Sequence, residues 1–170
     1  YKQLAWFTVP FLWIYLANAG ENVKGNRLKA MAAVAILMLI LVGPFVIWDS
    51  ASLYDDTFAF NAGSSAHPYK LGGTPGFGAS NLLLYWNAVE SRASYFPFTI
   101  PMLLVGIPLM VWLGRLQLRH NKRAMLLGAM ALVSFAIPYF SRFFHDNYFA
   151  LISILIAVAV FGEETTNVHE

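Results

Sequence analysis

The chain has 170 residues, 58% hydrophobic and 12% charged, with a formal net charge of +2 and a mean hydropathy of +0.57. Soluble domains carry about 25% charged residues, so composition argues against a water-soluble fold. The small net charge, with no basic run interleaved with aromatics, argues against a nucleic-acid partner. Cysteine is absent, which excludes disulfides and thiolate metal sites.

The first predicted element is the apolar run Leu4–Ala19. Ala17-Asn18-Ala19 looks like a signal-peptide cleavage site, but the lone Lys2 and the residues Trp6, Pro10 and Trp13 favour a retained helix. The chain is expected to be part of a longer protein. Ala30–Trp48 is the cleanest second run. A helix needs about 20 apolar residues to cross the hydrocarbon layer, and both runs are read as spans. Pro10 and Pro44 lie inside them. Membrane helices tolerate such prolines where neighbours satisfy the freed carbonyls, which predicts a packed bundle.

The segment 49–94 follows. It is too long for a plain connector and too aromatic for disorder. Its first part, Leu53–Phe60, predicts a short helix lying on a membrane surface. Asp49 or Ser50 serves as cap and Ser52 pairs with Asp55. Leu53, Tyr54, Thr57 and Phe58 share one face, with Asp55, Asp56 and Ala59 opposite or beside it. The glycines and prolines of NAGSSAHPYKLGGTPGFG mark a turn-rich loop. No Gly-Lys-Ser/Thr follows, so a phosphate-cradling nucleotide loop is not expected. A second short helix is predicted over Asn81–Val89, capped by Ser80 and too short to cross a bilayer.

Three further spans are predicted: Tyr95–Gly114, Ala124–Phe140 and Asn147–Gly162, the last extended by Phe143 and Phe144. The expected fold is an all-α polytopic transmembrane bundle of about five spans. Its organisation is two spans in 1–48, an outer-face segment in 49–94 with two interfacial helices, three spans in 95–162 and a cytoplasmic tail in 163–170. Lys24, Arg27, Lys29, Arg115, Arg119, Lys122 and Arg123 fall on one side, and Lys2, Lys70, Arg92 and Arg142 on the other. The richer side is expected to be cytoplasmic. No span centre carries an acid or a base, which disfavours pumps and channels. None of the four histidines sits mid-span, which disfavours bis-histidine haem. Arg142, His145 and Asp146 cluster at the outer ends of the last two spans, where they face the outer segment or form a solvated turn.

A span ending GPFVIWD, then LYDDTFAFNAG, HPY, TPGFGASNLLL and another span, resembles the later part of bacterial multi-pass glycosyltransferase-like proteins of the GT-C type. The likeness covers residues 42–84. It implies dependence on a polyprenyl-phosphate sugar and work at the outer face of the membrane. In that superfamily the catalytic acid lies in the first outer loop of an N-terminal part, so no catalytic residue carries over. Asp55 and Asp56 match only the later Asp-centred segment.

The candidate substrate-binding residues are Asp55, Asp56, His67, Tyr69 and Lys70. Adjacent acids can hold a divalent cation that bridges to a lipid phosphate. The alternative is a solvated helix face, because neighbours on a helix point about 100° apart. No other cofactor is evident. Two functions stand. One is the C-terminal membrane portion of a lipid-linked-sugar transferase-like protein, forming part of an outer-face substrate cavity. The other is a non-catalytic accessory subunit within a larger membrane complex. The expected partners are membrane lipids, a lipid-linked sugar and other membrane subunits, and the expected location is the bacterial inner (plasma) membrane.

Overall fold

The structure, a computed structural model, describes residues 2–18, 23–62, 64–65, 70–72 and 76–162. Helix α1 (Lys2–Ala17) contains Pro10. Helix α2 (Val23–Tyr54) is built from Ala, Leu, Met and Ile and contains Pro44. It is kinked at Asp49, whose φ of −153° and ψ of 86° are extended rather than helical. The Asp49 carboxylate accepts from the Ser52 amide (3.0 Å) and the Ser52 hydroxyl (2.6 Å). This is an N-cap that restarts the helix beyond the kink. The restarted segment passes through a π-helical turn, Asp55–Ala59, into the short α3 (Phe60–Ala62).

Past the turn-rich region come strand β1 (Gly76–Phe77) and helix α4 (Ser80–Tyr85). Helices α5 (Thr99–Arg119), α6 (Arg123–Tyr139) and α7 (Asp146–Phe161) follow, with strand β2 (Phe144–His145) between the last two. Pro101 lies in the first turn of α5, where its missing N–H has no intrahelical partner to lose.

The bundle is built on α1 and α6. Helix α1 packs on α2, α5 and α6, and α6 packs on α1, α5 and α7. Phe11, Leu113, Leu126, Ala129, Val133 and Ile137 form the main core between α1, α5 and α6. A second cluster of Ala131, Phe144, Tyr148 and Ile152 joins α6 to α7. At one end of the bundle, Arg27 donates to Asn18 Oδ1 (2.9 Å) and Asn121 Nδ2 donates to Tyr15 O (3.0 Å). These bonds gather the end of α1, the start of α2 and the α5–α6 turn. The other ends of the five helices surround one cavity, so successive long helices run in alternating directions.

The expected all-α bundle forms. Two of its helices, Gly25–Ala59 and Thr99–Arg119, are long and apolar enough to cross a membrane among the described residues. The apolar stretches Trp6–Ala17, Arg123–Tyr139 and Asp146–Phe161 are shorter. The segment 49–94 departs from expectation in four ways. The helix over Leu53–Phe60, capped by Asp49 as expected, passes through a π turn at Asp55–Ala59 instead of staying α-helical. Ser52 bonds to Asp49, and the carboxylate of Asp55 accepts instead from Ser65 Oγ (3.1 Å). Ala59 is buried instead of sharing the exposed side of Asp56, while Tyr54 is 63% exposed.

The fourth departure is α4, which stops at Tyr85 rather than Val89. Asn87 adopts φ +52°, its amide bonds Leu84 O, and the Ala88 amide bonds Leu83 O. That pair of bonds around a left-handed residue is a helix-terminating motif. Ser80 is the first residue of α4 rather than its cap, and its hydroxyl is buried without a partner. Farther along, Tyr95–Phe98 precede α5, which runs on through Arg115 to Arg119. Phe143 and Phe144 do not extend α7, because Phe144 pairs with Phe77 in the β1–β2 ladder.

Candidate functional site

The cavity at this end of the bundle has a volume of about 340 Å³. This lies within the range of about 300–1,000 Å³ typical of ligand sites. Helix α5 supplies one wall through Phe98, Met102, Gly106 and Met110, spaced four apart, with Thr99, Leu103 and Ile107 beside them. Residues at that spacing lie along one helix face. Ile137 and Pro138 of α6 and Tyr148 of α7 form the floor. Trp6 and Phe7 of α1 close the opposite side, and Thr57, Phe58 and Ala62 cover the top.

The covering residues owe their position to the Asp49 kink and the π turn. A π turn inserts an extra residue into the helical register. Thr57 and Phe58, although adjacent, both line the cavity. The Phe58 ring meets Trp6 edge-on at 6.4 Å and packs on Tyr54 at 5.8 Å. Gly106 lets α5 approach α6, since a β-carbon there would come within 3.2 Å of Ile137.

The polar atoms of the lining are few and neutral. Thr57, Thr99, Ser141 and Tyr148 contribute hydroxyls, and no charged side chain lines the cavity among the described residues. The Ser141 hydroxyl lies 2.7 Å from Pro138 O and 2.6 Å from Phe143 O, so it donates to a carbonyl freed at the end of α6. Trp6, Phe58, Leu103 and Ile107 are exposed at the rim. Leu103 and Ile107 adjoin the exposed Ile100, Leu104 and Val111 along α5.

Of the residues singled out in the sequence, Asp55 and Asp56 lie on the π turn, next to the cavity wall but not in it. Asp55 is half-buried and Asp56 exposed. Lys70 is exposed, and His67 and Tyr69 lie outside the described residues. Among the described residues, no group of three or more His, Asp or Glu side chains could hold a metal ion.

The residue that sequence reasoning undervalued is Arg142. A solvated turn does not describe it, for its side chain is 0% exposed. Its guanidinium donates to Ser94 O (3.0 Å) and Arg92 O (3.3 Å), and its own carbonyl accepts from the Gly72 amide (3.2 Å). Arg92 O also accepts from the Leu71 amide (2.7 Å). Burial lowers the Arg142 pKa from the ordinary arginine value, as expected when a cation loses water. Arg142 thus pins the Leu71–Gly72 turn and residues 92–94 to the α6–α7 connection. Gly78 completes the join. It has φ +109°, and a β-carbon there would come within 2.9 Å of Tyr139 O.

No family model, curated protein or solved structure matches the chain.

Proposed function

We propose that the chain is a multi-pass membrane module, crossing the bilayer five times, whose outer-end cavity takes the apolar chain of a lipid-linked sugar. It would serve a transferase-like protein of the type its sequence resembles, in a bacterial plasma membrane. The observation that carries this reading is the cavity: apolar, uncharged, with hydroxyls from Thr57, Thr99, Ser141 and Tyr148, and with exposed lining residues that adjoin an apolar flank of α5. An aqueous substrate has no use for such a route, whereas a lipid in the bilayer reaches it without leaving hydrocarbon.

Three further features support the reading. Arg115, Arg119, Lys122 and Arg123 flank the turn at the far end, as the positive-inside rule requires of a cytoplasmic side. Leu39 is 74% exposed and Trp48 90% exposed on α2, side chains that lipid would cover. The three shorter helices, of 16 or 17 residues, are about 24–26 Å long. A bilayer thins locally to accommodate such lengths. The sugar phosphate would stay outside the uncharged cavity, beside Asp55 and Asp56, with a divalent cation bridging acid to phosphate.

The test is photolabelling in proteoliposomes with a polyprenyl phosphate that carries a photoreactive group on its chain. Labelled peptides should fall in 98–110 and 57–62. Leu103→Trp, which fills the mouth, should cut that labelling by about tenfold or more. Labelling spread evenly over the flanks of α2 and α7, indifferent to Leu103→Trp, would overturn the reading. A second reading, an accessory subunit of a membrane complex, is favoured by α2, whose main packing partner is α1 and whose outward face is uncovered. In that case the double change Asp55→Asn, Asp56→Asn leaves lipid capture and assembly unchanged.

A further inference from the structure

We infer that Met110 is the depth stop of the cavity and sets how many carbons of a single hydrocarbon chain it encloses. The inference rests on the lipid-chain reading above and deepens it.

The stripe that lines the cavity on α5 runs Phe98, Met102, Gly106, Met110. Its next member at the same spacing is Gly114. A β-carbon on Gly114 would meet Ile14 Cδ1 of α1 at 3.6 Å. Leu113 beside it is fully buried against the core that contains Phe11. Below Met110, then, α1 lies directly on α5 and no space remains. Above Met110, α1 is represented in the lining only by Trp6 and Phe7, at the mouth.

From Phe98 to Met110 is about 18 Å along the helix axis, at 1.5 Å per residue. The volume of about 340 Å³ limits what the slot encloses. At about 30 Å³ per water-sized group, the slot holds about eleven chain carbons. With no charge in the lining, a phosphate stays at the rim and the chain points toward Met110. The occupant is a single-chain amphiphile, taken up tail-inward from the flank. Met110 is half-buried and packs against the main core from above. Its unbranched thioether fits a flexible end wall.

The test uses the full chain in lipid nanodiscs and a series of n-alkyl phosphates of about 6 to 16 carbons, with equilibrium affinity as the readout. With affinity expressed against the mole fraction of ligand in the bilayer, so that partition into lipid cancels, each carbon that enters the slot should tighten binding by its packing contacts alone. The gain should level off near eleven carbons in the unaltered protein. Met110→Ala should move the levelling point outward by about three carbons, the heavy atoms removed, and Met110→Phe should move it inward. Val111→Ala, on the exposed side of α5, should leave it in place. A levelling point that ignores both Met110 changes overturns the depth stop while the lipid-chain reading stands. Binding with no chain-length dependence in the unaltered protein overturns both. A shift in oligomeric state with the Met110 variants, and no shift in chain length, identifies the slot as a protein contact and overturns the proposal.

Discussion

Arg142 shows how much one side chain can hold. Burying a guanidinium is costly unless its donors are met, and here it donates to backbone carbonyls of Ser94 and Arg92. Arg142→Ala leaves those acceptors without it and should cost roughly 2–4 kcal/mol. Arg142→Lys keeps the charge but not the two-pronged reach, and should fall between. Thermal unfolding in nanodiscs measures both, and limited proteolysis within 70–98 should accelerate in step. An unchanged melting temperature for Arg142→Ala would show that the outer segment is held elsewhere.

Asp49 offers a pH-dependent counterpart. The Ser52 hydroxyl, and then the Ser52 amide, hold its carboxyl below the ordinary carboxylate value. A depressed pKa means that the folded state favours the ionised form. The cap's contribution is therefore present above the unfolded pKa and lost as pH falls through the lowered folded value. Protection of the Ser52 amide from hydrogen exchange should fall over that acid window. Asp49→Asn, which caps without ionising, should abolish the dependence. Identical acid profiles for the two proteins would remove Asp49 as its source.

Among the elements, α2 separates the membrane reading from a soluble one. Leu39 lies near its middle with most of its surface uncovered. A lysine at the centre of a membrane helix costs about 2.5–3.5 kcal/mol of insertion free energy. On a water-facing helix the same change stays within about 0.5 kcal/mol. Leu39→Lys should therefore lower the inserted fraction of the full chain in microsomes. Insertion at the unaltered level would count against the span.

The helical extents were partly legible, because runs of apolar residues and prolines are local signals. The Asp49 cap was also legible, since an acid three residues before an available amide is a local pattern. The stop of α4 at Asn87 was not, for Trp86-Asn87-Ala88 also fits a continuing helix. The π turn was equally hidden. Its register shift rests on where Phe58 meets Trp6, a contact between residues 52 positions apart.

At the scale of the molecule, the alternation of the five long helices predicts which ends are reachable from each side. The absence of native cysteine makes the measurement clean. Lys70→Cys should react with an impermeant thiol reagent in intact cells, and Arg119→Cys only after permeabilisation. The opposite pattern would invert the proposed orientation. Of the candidate site, the sequence directed attention to a segment that borders the cavity. Asp55 and Asp56 stand out by charge, yet the neighbouring Thr57 and Phe58 line the cavity. The stripe from Phe98 to Met110 is readable at helical spacing, but nothing in α5 itself says that α1 leaves it uncovered.

The sequence by itself determined the helical class, the positions of the long apolar segments and the gathering of arginines at one end. These follow from composition over windows of about 20 residues and from the fixed chemistry of proline and charge. Only the tertiary structure decided that Arg142 is buried, that the α2 extension covers a cavity, and that the cavity ends at Met110. Each of these depends on which faces of distant segments meet. Asn121 reaches Tyr15 across 106 residues, and Arg142 reaches Arg92 across 50. No local pattern encodes such a pairing, because it is settled by the shape and volume of all the side chains packed between them.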